Sequence, residues 1–314
     1  MDSNFLKNTF SKVINDYDYA RPGYPEALYE QISTFSGIPF APGLQSSLQE
    51  SPSKNGQTLT SQASLDLKPV AILEVGAGTG QATDWFANNL PKAIAPTVPP
   101  SSNSAAAEPS HHSTAPYQLN LLEVSDEQVD FLRAKYAAFP DIAVQKAYFE
   151  EYQSDQQYDL IYSATAFHWV KSEVGYPRAW ELLKPGGTLA VFWQMSSVTY
   201  YDGGIFDGLN ALKQKYLPGE SLGFDAAGIG AVKERRIQQI QSGGFFGAPE
   251  VFEFRWTDTY DADRYAALIN TYSSTQTLPE KVREAYLAEI KNYIRTNGGI
   301  VKLPQLVMLY LVRR

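Results

Sequence analysis

The sequence predicts a doubly wound α/β fold, a mostly parallel sheet covered on both faces by crossover helices. Two observations carry this expectation. Short apolar runs alternate with helical patterns from residue 70 to residue 195, the signature of strand, crossover helix and parallel strand. A glycine-rich turn, Gly76, Gly78 and Gly80, stands between the first run and the first helix, where a close approach of backbone to ligand needs residues without a Cβ.

Taken in order, the strands are expected at residues 70–75, 118–124, 142–146, 158–164 and 188–195, with helices at 80–89, 126–138 and 175–183 between them. Asp126 and Glu127 suit the positive N-terminal end of their helix. The run Leu183-Lys-Pro-Gly-Gly187 is read as stopping one helix and turning into the next strand. Residues 251–257 alternate apolar and polar side chains, and 306–312 form a final apolar strand. Helical stretches are expected within 4–35 and at 205–216, 231–243, 261–273 and 279–296. In the last of these, Val282, Tyr286, Leu287, Ile290 and Ile294 recur near helical spacing, as an apolar stripe packed on the core does. Two segments, 39–68 and 91–116, are rich in Ser, Pro, Gln and Gly or Ala. They lack the periodic apolar residues that offset the entropy of ordering, and read as polar insertions in one continuous pattern.

The 314 residues carry a net charge of −8, which argues against a surface built to neutralise nucleic-acid phosphates. Cysteine is absent, so disulfides, thiolate metal sites and a cysteine nucleophile are excluded together. Neither a signal-peptide run nor a stretch of about 18 apolar residues is present, and the reading is a cytoplasmic protein without a membrane span.

The chemistry is concentrated at Glu74-Val-Gly-Ala-Gly-Thr-Gly80. A dinucleotide fingerprint would need glycine at position 81, where Gln81 stands; this weakens a nicotinamide-dependent oxidoreductase, kept as a rival. The spacing found, with an acid two residues ahead, suits a nucleoside joined to an amino acid rather than a pyrophosphate. A ribose-binding acid is expected about 20 residues on, and Glu123 falls near that spacing once segment 91–116 is removed.

In order and spacing, EVGAGTG, LLEVSDEQVDFL, AYFEEY, YDLIYSATAFHWV and LKPGGTLAVFW resemble class I S-adenosylmethionine-dependent methyltransferases. The resemblance is to a small-molecule branch with a type 11 methyltransferase domain, related to trans-aconitate methyltransferase-like proteins. FSKVINDYDYARPGYP near the N-terminus and TYSST near residue 271 add to it. It implies a Rossmann-like seven-stranded sheet with its last strand antiparallel and a helical cap. It implies one domain over 1–314: an N-terminal helical cap at 1–38, a cofactor-binding core at 69–195, and cap helices with the final strands at 196–314.

For the cofactor, S-adenosylmethionine, the resemblance implies contacts from Gly76, Ala77, Gly78, Thr79, Gly80 and Gln81, with Glu74 orienting the amino end. Glu123, next to Val124, would take both ribose hydroxyls, a task for a group that accepts several hydrogen bonds. Tyr148, Phe149 and Glu150 would border the adenine, and Ser163 and Ala164 would pass near the sulfonium. Arg21 is expected to pair with the cofactor carboxylate or with an acidic acceptor, and Tyr17 and Tyr19 come from the same segment, which folds over the cofactor in relatives.

Methyl transfer needs no metal, and it needs a base only when the acceptor holds a proton that must leave. His168 follows the fourth strand, at the carboxyl end of the sheet where ligands bind. It is expected to accept a proton from the small-molecule acceptor or hydrogen-bond to it, or else to be a structural histidine on a loop carbonyl. Phe167 and Trp169 flank it as lining or packing residues. Tyr200, Tyr201, Phe206, Phe224, Trp256 and Tyr272 are candidates for an aromatic acceptor wall. A carboxylic acid acceptor would call on arginines, with Arg178, Arg255 and Arg264 available. A regulatory protein that binds the cofactor without turnover is the rival from another class.

Overall fold

The computed structural model describes residues 14–39, 69–89, 117–195, 204–220 and 226–314. The polar segments, Pro39 excepted, lie outside the described residues, as do Tyr200, Tyr201 and Phe224.

The elements begin with α1 (Ile14–Ala20) and α2 (Glu26–Ser36). The alternating core follows as β1 (Val70–Val75), α3 (Gln81–Asn89), β2 (Tyr117–Glu123), α4 (Asp126–Lys135), β3 (Ile142–Lys146), β4 (Tyr158–Ala164), α5 (Ser172–Leu182) and β5 (Leu183–Met195). Beyond it come α6 (Ile205–Tyr216), α7 (Ala226–Gln241), β6 (Glu250–Asp261), α8 (Ala262–Asn270), α9 (Ser273–Gln276), α10 (Glu280–Thr296) and β7 (Ile300–Arg313). The seven strands form one sheet in the order β3-β2-β1-β4-β5-β7-β6. β1 to β5 are parallel, and β7 runs antiparallel between β5 and β6. The fold is the Rossmann-like α/β sheet expected, with its last strand antiparallel.

Both faces of the sheet are covered, so its central strands are apolar along their length rather than alternating with polar residues. In β1, Ala71, Leu73 and Val75 point to one face and Ile72 to the other; in β7, Leu306, Met308, Tyr310 and Val312 oppose Val307, Leu309 and Leu311. The first face packs on α5 and α7 through Tyr176, Ala179, Ile229 and Ile240. The second packs on α2, α3 and α4 through Leu28, Ile32, Phe86 and Leu132. A third cluster, including Leu209, Tyr265, Leu268, Tyr286, Ile290 and Ile294, joins α6, α8 and α10 with the ends of β6 and β7 into a cap. Helix α4 starts where Ser125 accepts a hydrogen bond from the Gln128 amide, an N-cap contact of about 1 kcal/mol.

Some boundaries differ from the sequence reading. Residues 183–187 are not a free turn but the start of β5, bulged against β4: Tyr158 pairs with Leu183 and Leu160 with Thr188. Helix 261–273 divides into α8 and α9, because Asp261 caps the first through the Asp263 and Arg264 amides and the Thr271 hydroxyl turns back to the Leu268 carbonyl. Val282 lies outside the buried stripe of α10 and is exposed. β6 and β7 run longer than expected because their far halves pair in the cap, Asp258 with Leu303 and Tyr260 with Val301.

Candidate active site

A cavity of about 470 Å³ opens at the carboxyl ends of β1, β2 and β4, beneath the cap, within the range of about 300–1,000 Å³ usual for small-ligand pockets. Its floor is the glycine loop, tied to β2 by the Gly76 and Ala77 amides, which donate to the Leu122 carbonyl at 2.9 and 3.0 Å. All three glycines have positive φ, but for different neighbours. A Cβ on Gly76 would stand 2.5 Å from the Ala166 Cβ, and one on Gly80 would strike the Tyr136 hydroxyl. At Gly78 the nearest atom is 4.0 Å away, so its open side faces the cavity it lines. Gly80 does not reach the cavity lining; its role is to let Tyr136 bond the Gly80 carbonyl and Asp84, both under 3 Å.

Two carboxylates lie on this floor. Glu123 accepts from the Gly78 amide at 2.9 Å and from the Val124 and Ser125 amides at 2.7 and 3.2 Å. These donors use three of the roughly four lone-pair directions of a carboxylate and leave one for a ligand. Glu74 is 1% exposed. Its Oε2 accepts from the Thr83 and Tyr162 hydroxyls, while Oε1 has no partner. Burial pushes its pKa up to about 7, against the pull of those two hydroxyls.

The N-terminal segment closes one side. Gln81 donates to the Tyr17 and Arg21 carbonyls at 3.2 and 3.0 Å, so the end of the glycine loop holds the segment in place. Arg21 donates from Nε to the Thr271 hydroxyl at 2.9 Å and lies between the Tyr17 and Tyr272 rings, 5.0 and 4.7 Å from their centroids. Lys135 adds bonds to Asp18, Asp84 and the Thr79 carbonyl, and Asn270 bonds Asp16.

At the end of β4, Thr165 has φ 54, the one non-glycine residue with positive φ among those described, a conformation of order 1–3 kcal/mol in strain. Its hydroxyl bonds Tyr24 at 2.9 Å and accepts from the Gln194 amide, contacts that help hold it there. His168 follows in a short 3-10 turn, lines the cavity and is exposed along it. Its Nδ1 accepts from the Trp193 indole N–H at 3.2 Å, and among the described residues His168 donates to no loop carbonyl. Surrounding protein and the Arg236 charge lower its pKa to about 4.

Most residues singled out from the sequence therefore meet in one cavity: Tyr17, Arg21, Glu74, Gly76, Ala77, Gly78, Thr79, Gln81, Glu123, Val124, Tyr148, Phe149, Glu150, Ala164, His168 and Trp169 all line it. Four do not, besides the aromatics and arginines below. Ser163 is fully buried and donates to the Val75 carbonyl, a bridge between β4 and β1. Phe167 packs in the core against Phe149 and Tyr176. Tyr19 is 56% exposed outside the cavity, and Gly80 is the fourth. Of the described aromatic candidates only Tyr272 lines the cavity; Phe206 and Trp256 pack against core clusters. Arg178 bonds Glu181 and the Tyr152 carbonyl, Arg255 pairs with Glu253, and Arg264 with Asp258, all away from the lining.

Sequence reasoning missed Tyr24, Thr165, Gln194, Lys213, Glu220, Ser273, Ser274 and Gln305, which also line the cavity. Lys213 pairs with Glu220 at 3.8 Å, and burial lowers its pKa.

With this geometry in place, residues 73–191 match the family model described as a methyltransferase domain. The chain is an S-adenosylmethionine-dependent methyltransferase. The methyltransferase is 23% identical over 303 residues to an uncharacterized methyltransferase-like protein of Schizosaccharomyces pombe, covering 96% of this chain and 92% of that one. A malonyl-[acyl-carrier protein] O-methyltransferase of Ilyobacter polytropus is 24% identical over 42% of this chain and 41% of its own. Among solved structures, a protein described as a type II methyltransferase from Anaeromyxobacter dehalogenans superposes with a TM-score of 0.50 at 15% identity, covering 93% of this chain and 97% of that one. That likeness shows the shared fold. Among the described residues, no helix is long and apolar enough to cross a membrane.

Proposed function

We propose that 1–314 acts as one methyltransferase domain that holds S-adenosylmethionine on the glycine loop and a small organic acid under the cap. The observation that carries the cofactor half is the pair of buried carboxylates, Glu74 and Glu123, opening with Gly78 onto one cavity. The residues fit the group: Glu74 Oε1 is a buried acceptor without a partner, suited to an ammonium, and Glu123 keeps a lone-pair direction for a ribose hydroxyl. Arg21, in the lining, would meet a carboxylate, and Tyr148, Phe149 and Glu150, also in the lining, would border the adenine. When bound, the cofactor supplies an electrophilic methyl group on a sulfonium.

What the chain's own residues contribute is position. Holding two reactants in line and out of water removes much of a displacement barrier, and the cap does this through Tyr17, Arg21 and Tyr272 on one side and Gln194 and Gln305, joined at 2.7 Å, on another. The organic-acid reading rests on the resemblance to the trans-aconitate methyltransferase-like branch and on two cations, Arg21 and Lys213, in the lining. A carboxylate is already ionised near neutral pH, so its transfer asks for orientation rather than deprotonation.

Calorimetric titration with S-adenosylmethionine and S-adenosylhomocysteine, on the wild type and Glu123→Ala, tests the cofactor site. The variant is expected to bind about 10- to 150-fold more weakly, since hydrogen bonds to a charged group are worth about 1.5–3 kcal/mol. Equal affinity in both proteins would remove Glu123 from the site. Methyl transfer to amines or phenols, with none to small carboxylic acids, would overturn the acceptor class.

A further inference from the structure

We propose that Trp193 and Arg236 are positioning residues that hold His168 as a neutral imidazole protonated on Nε2, so that His168 donates a hydrogen bond to the methyl acceptor and takes no proton from it. The proposal rests on the reading of the cavity as the acceptor site, but its first test does not involve methyl transfer.

The argument begins with what each group can do. An indole N–H only donates, so the Trp193 contact at 3.2 Å requires a lone pair on His168 Nδ1. The proton of the neutral ring then sits on Nε2, which has no hydrogen-bond partner among the described residues. His168 lines the cavity, and Nε2 is the ring nitrogen left to serve a ligand. A general base must offer its lone pair to the acceptor. Here the lone pair is turned toward Trp193, and protonating it would set two N–H donors against each other.

A cation reinforces this arrangement. The Arg236 guanidinium, from α7, lies 4.4 Å from the Trp193 ring centroid. Nη1 bonds Gln239, while the buried Nε has no partner and no carboxylate pairs with the side chain among the described residues. Arg236 is half-buried, and a buried guanidinium nitrogen left without an acceptor is uncommon. From this place the positive charge opposes an imidazolium at His168, in the same direction as the surrounding protein's desolvation of the ring. The other charged and titratable groups around the pair are Tyr176 from α5, Tyr310 from β7 and the neighbouring Arg235 from α7, all acting on Arg236, and Glu150 elsewhere on the cavity wall. The two tyrosines are held neutral by burial.

The chemistry is consistent with an acceptor that brings its own lone pair. When a carboxylate oxygen takes the methyl group, a C–O bond forms, the C–S bond breaks and its electron pair stays on sulfur. The oxygen loses its negative charge, and no proton has to leave. A donor from His168 to the other carboxylate oxygen would orient the nucleophile.

The chain has three histidines, so nitrogen-15 NMR of the full-length protein labelled at histidine resolves the question, with His168→Asn assigning its signals. The expected spectrum has a bare Nδ1 and a protonated Nε2, unchanged from about pH 7.5 to about pH 5.5, where an ordinary histidine with a pKa of about 6.5 would titrate. An Nδ1-protonated ring, or a midpoint near 6.5, overturns the proposal. Trp193→Phe should average the two tautomers, and Arg236→Met should raise the midpoint from about 4 toward the ordinary value; a spectrum and midpoint unchanged in both overturns their positioning role. In activity assays, kcat should show no acid limb between about pH 5.5 and 7 in the wild type, and His168→Gln, which keeps an N–H donor, should retain more kcat/KM than His168→Ala. A His168 limb near pH 6.5 would restore the base. Failure to bind S-adenosylmethionine would overturn the function above while leaving the spectral result intact.

Discussion

The floor and the roof of the cavity are built from opposite kinds of chain. The floor is local: Glu74 to Gln81 is one strand-turn-helix unit, and Glu123 to Gln128 is the next, bound to it by the Gly78 amide. The roof is assembled across the sequence, with Arg21 on Thr271 and Asp16 on Asn270, pairs 250 and 254 residues apart. A floor made of backbone amides and glycines with imposed φ is rigid because changing it disrupts the sheet. The roof is held instead by side-chain contacts between separate elements, over the cap's own apolar cluster, and a change at one of those contacts leaves the sheet intact.

The contrast can be broken most directly at Gly76. Gly76→Ala combines φ 73 with a Cβ 2.5 Å from Ala166, and strain plus overpacking should lower stability by about 4 kcal/mol, read as a drop in denaturant midpoint. If a roof substitution costs as much, the two halves do not differ as described.

A smaller effect comes from Glu74. Its pKa in the fold is raised from 4.5 to about 7, so the stability linked to its proton is fully present below 4.5 and is lost as pH rises through about 7. The loss should reach about 3 kcal/mol, and Glu74→Gln should flatten the unfolding free energy across that window. An unchanged pH profile in the variant would mean that the floor holds no such proton.

The smallest effect belongs to the roof. Arg21→Met removes the Thr271 bond and the stacking on Tyr17 and Tyr272, and should weaken cofactor or acceptor binding by about 1–2 kcal/mol while leaving the unfolding midpoint within error. A large fall in stability instead would make the roof part of the core.

The same division explains what could be read from the sequence. Strands β1, β3 and β4 and the floor were legible because their residues lie a turn or a strand apart, where periodicity and glycine spacing act. Thr165, Gln194, Gln305 and Lys213 left no such trace, since each is an ordinary polar residue until the sheet and cap bring it to the cavity. Phe167 and Trp169 show the limit at close range: two residues apart in AFHWV, one enters the core and the other the lining, a choice made by a single 3-10 turn. Ser163 was misplaced for a related reason, as β4 alternates faces and its hydroxyl is turned to Val75.

The antiparallel β7 has a consequence for biosynthesis. β6 meets the sheet only through β7, which also supplies Gln305 to the cavity. A ribosome that has released β6 has therefore made a strand with no place to dock, and it must extend the chain through α8 to α10 before β7 can enter between β5 and β6. Throughout that interval the flank of β5 is an open edge capable of pairing with another chain. That edge stays open after the cofactor-binding floor has been made, and the insertion of β7 that closes it also brings Gln305 to the cavity.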